Sequence, residues 1–395
     1  MQTTLSPKLW DLFKTYIEFN TSLESGENYL RACELLKDYL SLYGFDGQII
    51  EIPEKLAGNK NRFNLIARKA INKNRPTILF YNHIDTVPAD YIDAFKFKII
   101  DGKIFGRGAC DHKGSTMAVL SALSKVSSPK FNLIFIATTD EETDQKEQLK
   151  YLASILKLPK NTIVFDPDTE YGAVTIGHLG FVQFDLLVKG KSTHSAISHM
   201  GVNAVEKTEK IIKFLLRVKK EYESINSKYK TFEAMGLKRP CNRLNINMIK
   251  GGIAPNVVPD KCTLTIDCRY IPEKNVAKEK IKLFQMIGRF CHKAKIEYEI
   301  TRTITIEGYV SQHPAIDKLN HIYQKITKEK SGKFVVMGST DVSEWTKNLK
   351  LAHFGIGVMR EDTNIHGVNE FCYVKDIENL SLTIEEFLRG QEELK

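Results

Sequence analysis

Seven cysteines are spread through 395 residues, and no two stand as a C-x-x-C pair. The odd number and the wide spacing argue against a disulfide framework and for reduced thiols in the cytoplasm. Cys262 lies on an alternating run and reads as a small buried hydrophobe. No apolar run approaches the roughly 20 residues of a membrane span, so no membrane partner is expected. Met1–Pro7 lacks a basic stretch followed by an apolar one, so no secretory leader is expected. Internal repeats and low-complexity segments are also lacking. The net charge of +9 is scattered. Arg217-Val218-Lys219-Lys220-Glu221 mixes both signs, and no basic cluster is interleaved with stacking aromatics. A nucleic-acid partner is therefore not expected, although a mild positive field can steer a small anion inward.

What is there is ordinary for a globular protein: 42% hydrophobic and 27% charged residues. The length allows two domains, or one large domain with an insertion. Helical spacing covers 8–45 in two pieces. Strand-like runs follow near 48–52, 63–68, 77–82, 131–138 and 162–165, with helices over 113–126 and 149–156. This alternation predicts an α/β sheet with helices on both faces. From about residue 180 the order becomes strand 181–189, helix 201–222, strands 243–250 and 261–270, helix 275–293 and strand 296–304. That β-α-β-β-α-β order is the ferredoxin-like one. Helix–strand alternation then returns with helix 315–328, strand 351–358 and helix 375–390. The expected architecture is a catalytic α/β domain with a mixed central sheet, in two parts, 1–179 and 305–395. An α+β domain at 180–304 interrupts it.

Four segments fall directly after predicted strands or before a helix, where open α/β sheets bind ligands. His83-Ile84-Asp85 ends the run Thr77–Asn82 and suggests a metal-bound imidazole with a carboxylate beside it. Asp111, in Gly106-Arg107-Gly108-Ala109-Cys110-Asp111-His112-Lys113-Gly114, is either a helix N-cap or a carboxylate bridging two metals. Asp140-Glu141-Glu142 is either a solvated acidic loop or a metal ligand next to a general base. Phe165-Asp166-Pro167-Asp168 is either an Asp-Pro turn or a further ligand. A late histidine, His366, stands in Asn364–Glu370. Together His83, Asp111, Glu142, Asp166 and His366 form a histidine and carboxylate set without cysteine. Such donors suit zinc, cobalt or manganese in an open catalytic site.

In this order and spacing the segments resemble the dinuclear-zinc family of aminoacylases, carboxypeptidases and dipeptidases. The likeness is nearest to the acetylornithine deacetylase and succinyl-diaminopimelate desuccinylase group. It continues through Gly190–Ser195 with His194, Pro255–Pro259 with Asn256, Asp267-Cys268-Arg269, and Gly338-Ser339-Thr340-Asp341. It implies a zinc-peptidase-like catalytic domain whose inserted domain serves as lid and dimer interface. It implies two divalent ions, zinc first with cobalt or manganese as alternatives, about 3.5–4 Å apart. Asp111 would bridge them. His83 and Asp166 would complete one shell, and Glu142 and His366 the other. Asp85 would orient His83. Glu141 would be the general base on the bridging water and return the proton to the leaving amine. His194 would stabilise the oxyanion, commonly from the partner subunit. Asn256 and Arg269 would hold the substrate carboxylate, with Ser339 and Thr340 lining the pocket. The implied reaction is removal of an N-acyl group from an amino acid. A dipeptidase or carboxypeptidase is the alternative.

The chain departs from the family pattern in places. Asp166 stands where deacylases carry glutamate, an exchange typical of peptidase members, and Asp168 competes with it as ligand. His112 replaces a common methionine, close enough to the expected metals to touch substrate. Asp144 replaces a glycine, and Leu179 a lysine.

Overall fold

The computed structural model describes residues 4–22, 26–57, 61–139, 141–143, 146–232, 236–338, 340, 342 and 349–390. They fall into two compact units. The first comprises Met1–Ile176, Ser311–Phe334 and Glu344–Lys395; the second comprises Gly177–Val310 and Val335–Ser343.

The strand Thr77–His83 is buried at every position. A continuous apolar run of this kind belongs to a strand covered on both faces. It lies inside a six-stranded sheet ordered Asp46–Glu51, Phe63–Lys69, Asn132–Thr138, Thr77–His83, Thr162–Phe165, Ala352–Phe354. The last four strands run parallel, with His83 opposite Thr138 and Phe80 opposite Phe165. The first two pair antiparallel, which makes the sheet mixed. Ile78, Leu79 and Phe80 are fully buried, each worth roughly 1.5–3 kcal/mol of apolar burial. On one side the helix Gly114–Lys125 meets the C-terminal helix Val374–Arg389, where Ser381 Oγ donates to Ser121 Oγ at 2.8 Å.

The second unit has the expected β-α-β-β-α-β order. Its antiparallel sheet runs Arg243–Gly251, Lys261–Tyr270, Gly180–Lys189, Tyr298–Ile306. The helices Ala204–Glu223 and Val276–Lys293 pack on one face of it, over Phe184, Leu186, Leu264 and Ile266. Asparagines start both helices: Asn203 Oδ1 accepts from the Val205 and Glu206 amides, and Asn275 Oδ1 from that of Lys278. Such caps stabilise by about 1 kcal/mol each.

Strand 351–358 of the sequence reading is shorter in the structure, Ala352–Phe354. A small sheet of Lys98–Ile100, Lys103–Phe105 and Phe371–Tyr373 was not foreseen. Strands of three residues are too short to show a period. Among the described residues no helix is long and apolar enough to cross a membrane.

Candidate metal centre

Four parallel strands of the first unit end on one edge of the sheet, and the loops leaving three of them carry ionisable groups. His83 is the last residue of its strand, Glu141–Thr143 forms a short turn after Asn132–Thr138, and Asp166 follows Thr162–Phe165. Asp111 enters from the irregular turn Ala109–Lys113 ahead of helix Gly114–Lys125, and His366 from the loop before Phe371–Tyr373.

Asp111 divides its carboxylate between two histidines. Oδ1 lies 3.4 Å from His83 Nε2, and Oδ2 lies 2.6 Å from His366 Nε2. Glu142 Oε1 joins the second group at 3.2 Å from His366 Nε2. Asp168 Oδ2 joins the first at 3.7 Å from His83 Nε2. His112, buried behind them, sets its ring edge-on to His83 with centroids 4.6 Å apart. Donor atoms of His83, His112 and Asp168 lie within 4.8 Å of one another, as do those of Asp111, Glu142 and His366.

The buried carboxylates and imidazoles shift one another strongly. Burial works against a charged His83, yet Asp111, Asp168 and Asp85 outweigh it and raise its pKa well above the ordinary value. Hydrogen bonds to Asp111 and Glu142 lift His366 to about 10. Burial alone would raise Asp111, but His366 and His83 hold it well below the usual carboxylate range. Burial, with the charge of Asp111 beside it, pushes Asp168 up to about 7. Burial, reinforced by His83, lowers His112 to about 4, so its imidazole is neutral.

A frame of buried hydrogen bonds fixes these groups. His83 Nδ1 lies 3.1 Å from the Asp85 carbonyl oxygen and 3.4 Å from Asp85 Oδ1. Asp85 Oδ2 accepts from the Glu142 amide at 3.0 Å. Glu370 Oε1 accepts from the amides of Cys110 and Asp111, each at 3.0 Å. Its Oε2 takes the Gly108 amide at 3.0 Å and Arg107 Nη1 at 2.8 Å. Arg107 Nη2 also donates to the His366 carbonyl oxygen at 3.2 Å. Gly108 sits at φ 78°, and a side chain there would meet Thr86 Cγ2 at 2.8 Å. Glycine is the residue that tolerates both conditions.

The structure thus brings together His83, Asp85, Asp111, Glu142 and His366. Glu141, half-buried in the same turn as Glu142, is near enough for its charge to raise His83. Asp166 lies near enough for its charge to act on His112 and Asp168, but its two oxygens bond other groups. Its Oδ1 accepts from the Asp168 amide at 3.0 Å, and its Oδ2 lies 3.3 Å from His353 Nε2. Asp168 is the aspartate of the two whose carboxylate faces His83, at 3.7 Å. The remaining named residues belong to the second unit. His194 is exposed, and its Nδ1 accepts from the Ala196 amide at 3.1 Å. Asn256 is exposed on the neighbouring segment, its carbonyl bonded to the Ser195 amide at 3.0 Å. Arg269 forms a two-pronged pair with Asp267 at 2.9 and 3.2 Å and lies over the Phe181 ring. Thr340 Oγ1 accepts from the Val342 amide at 3.3 Å. Ser339, Asp140, Asp341 and Asp144 lie outside the described residues. The sequence reading assigned no role to Glu370, Arg107 or His353. Arg107 and Glu370 stand in the motifs that carry the resemblance, but the contact between them spans 263 residues and no local pattern shows it.

A family model for peptidase family M20/M25/M40 matches residues 79–390. Among curated relatives, the "Probable succinyl-diaminopimelate desuccinylase" of Staphylococcus epidermidis is 27% identical over 376 residues, covering 87% of this chain and 89% of that protein. The acetylornithine deacetylase of Buchnera aphidicola is 26% identical over 308 residues, covering 74% and 76%. Among solved structures, a tripeptidase from Staphylococcus aureus superposes with a TM-score of 0.74 at 20% identity, with 97% of each chain covered.

Proposed function

Because the chain belongs to peptidase family M20/M25/M40, and so is a metal-dependent hydrolase of amide bonds, we propose that it removes an N-acyl group, acetyl or succinyl, from an amino acid. The divided carboxylate of Asp111, 3.4 Å from His83 Nε2 on one side and 2.6 Å from His366 Nε2 on the other, carries this reading. One carboxylate shared by two donor sets is what two neighbouring cations require. We assign Asp168 to the His83 side, in place of Asp166, and Glu142 to the His366 side.

The residues fit two divalent ions. The donors are imidazole nitrogens and carboxylate oxygens, which suit zinc first, then cobalt or manganese. His83 Nε2 and Asp168 Oδ1 are buried without a hydrogen-bond partner among the described residues. Buried polar atoms are otherwise nearly always paired. Held there, the two ions would polarise the scissile carbonyl and acidify the attacking water.

Glu141 takes the proton of that water as its oxygen bonds to the carbonyl carbon. Glu141 then returns the proton to the leaving nitrogen as the C–N bond breaks, giving a carboxylate and a free amine. Asp85 keeps the His83 ring oriented. His194 is proposed to meet the developing oxyanion. Its Nδ1 accepts a hydrogen bond, so a neutral ring carries its proton on Nε2 and can donate. Arg269, held by Asp267, and Asn256 are proposed to hold the substrate carboxylate. All seven cysteines are buried free thiols, which supports a reducing, cytoplasmic setting.

A peptidase on the same scaffold is the second reading. Asp166 and Asp168 are the first carboxylates after the strand Thr162–Phe165, and aspartate there is the peptidase-like choice. The test is hydrolysis by zinc- or cobalt-loaded protein against a chelated control. The panel holds N-acetylornithine, N-succinyl-diaminopimelate, dipeptides and tripeptides. Metal-dependent turnover of acylated amino acids is expected. Turnover of peptides alone would replace the deacylase reading with the peptidase one.

A further inference from the structure

His112 occupies a position that the reading above leaves without a task. It is fully buried, and its Nε2 has no hydrogen-bond partner among the described residues. Its other nitrogen is well placed: Nδ1 lies 3.1 Å from Ser115 Oγ and 3.4 Å from Thr116 Oγ1. Both hydroxyls direct their protons elsewhere. Ser115 Oγ donates to the His112 carbonyl at 2.9 Å, and Thr116 Oγ1 donates to Asn82 Oδ1 at 3.2 Å. With those bonds made, each presents a lone pair to Nδ1, which assigns the ring proton to that nitrogen. The neutral tautomer is set, and the Nε2 lone pair is left bare.

His112 belongs to the group formed with His83 and Asp168, whose donor atoms lie within 4.8 Å of one another, and with Nδ1 taken up by the two hydroxyls, Nε2 is the nitrogen it has to offer. His83 is fixed through the same nitrogen, with Nδ1 against the Asp85 carbonyl oxygen at 3.1 Å, which turns Nε2 toward Asp111 and Asp168. Fixing a histidine through its far nitrogen is how proteins orient a metal-binding imidazole. Resting on the two-metal reading, we propose that His112 is a metal ligand. It makes the His83 position a two-imidazole site, completed by Asp168 and the shared Asp111. The His366 position keeps one imidazole and two carboxylates. The two positions therefore differ in character. The nitrogen-rich one favours zinc and cobalt, and the oxygen-rich one accepts manganese more readily. A methionine at 112 would remove the second imidazole and make the two positions alike.

The experiment is metal titration of metal-free full-length protein. Cobalt(II) binding is followed by visible absorption and zinc(II) binding by calorimetry, for the parent, His112→Met and Asp168→Asn. The parent should show two sites of unequal affinity. His112→Met should weaken the tighter one by at least ~100-fold, beyond the 10–100-fold expected for a merely orienting residue, and change its cobalt spectrum. Asp168 is 21% exposed, so Asp168→Asn should fold and weaken the same site. A second measurement needs no variant. In parent protein with isotope-labelled histidine, zinc loading should shift three imidazole nitrogens into the metal-bound range: those of His83, His112 and His366. Two shifted imidazoles, or an unchanged affinity and spectrum in a folded His112→Met protein, would overturn the proposal and leave the two-metal reading intact. A parent that binds neither metal would overturn both.

Discussion

Asp85 ties the two halves of the site together through Glu142: its Oδ2 accepts the Glu142 amide at 3.0 Å while its Oδ1 lies 3.4 Å from His83 Nδ1. One buried carboxylate thus orients a donor in each set. Asp85→Asn keeps the shape but removes the charge facing Nδ1. Metal affinity should fall about 10–100-fold, with losses at both positions. Titration of the variant with zinc by calorimetry checks this. A loss confined to one position would show that the tie to Glu142 carries no weight.

Glu141 and Glu142 are adjacent, yet their proposed tasks separate cleanly in an experiment. Glu141→Gln should lower kcat by about 10²–10⁴-fold and leave metal stoichiometry unchanged. Elemental analysis alongside steady-state kinetics decides the matter. Parent-like turnover would remove Glu141 from the proton-transfer role.

The pair of Glu370 and Arg107 predicts a stability effect. Glu370 receives three backbone amides and the Arg107 guanidinium, all buried. Removing one partner of such a pair costs about 3–5 kcal/mol. Glu370→Gln should therefore unfold at distinctly lower urea. It should also bind zinc more weakly, because the same network holds the Asp111 amide and, through Arg107, the His366 carbonyl. Unchanged zinc affinity in the folded variant would confine Glu370 to stability.

The sequence exposes some of this site and conceals the rest for physical reasons. His83, Asp111 and Glu142 follow strands or precede a helix, so the sheet edge collects them once the strands are recognised. Asp166 and Asp168 are the same residue type on either side of Pro167. Which one faces His83 turns on the Asp166 amide bonding to the Phe354 carbonyl and on His353, almost two hundred residues away in sequence, which takes an Asp166 oxygen. The grip of Glu370 on residues 107–111 is likewise invisible without the fold. The ferredoxin-like order of the second unit was legible because its strands and helices are long enough to show their periods. The three-residue strands around Lys103–Phe105 were not.

Metal uptake should release protons. Without metal, His366 has a pKa of about 10 and His83 sits well above its ordinary value. At pH 7 both are therefore imidazolium, and each must lose a proton before its Nε2 can bind an ion. The sign follows: as pH rises toward 10, fewer protons compete, and zinc affinity climbs. Calorimetry at pH 7 in buffers of different ionisation enthalpy reads the number released. Heats independent of the buffer would mean that the histidines are neutral beforehand.

The prediction on assembly rests on the outer edge of the second unit's sheet. Arg243–Gly251 is an outer strand of its sheet, and Met248 and Ile249 on it are 63% and 58% exposed. An open edge bearing large apolar side chains invites a second strand, and a two-fold axis lets one copy supply it to another. We therefore expect a homodimer joined along this strand. Sedimentation velocity at micromolar concentration should show a dimer for the parent. The double variant Met248→Lys and Ile249→Lys would place like charges on both copies of such an edge. Its dimer should dissociate at least ~10-fold more readily, the effect of about 1.4 kcal/mol. Both side chains point largely to solvent, so the thermal midpoint of the dissociated chain should stay close to that of the parent monomer. A parent that sediments as a monomer, or a double variant that dimerises as tightly as the parent, would remove this edge as the interface.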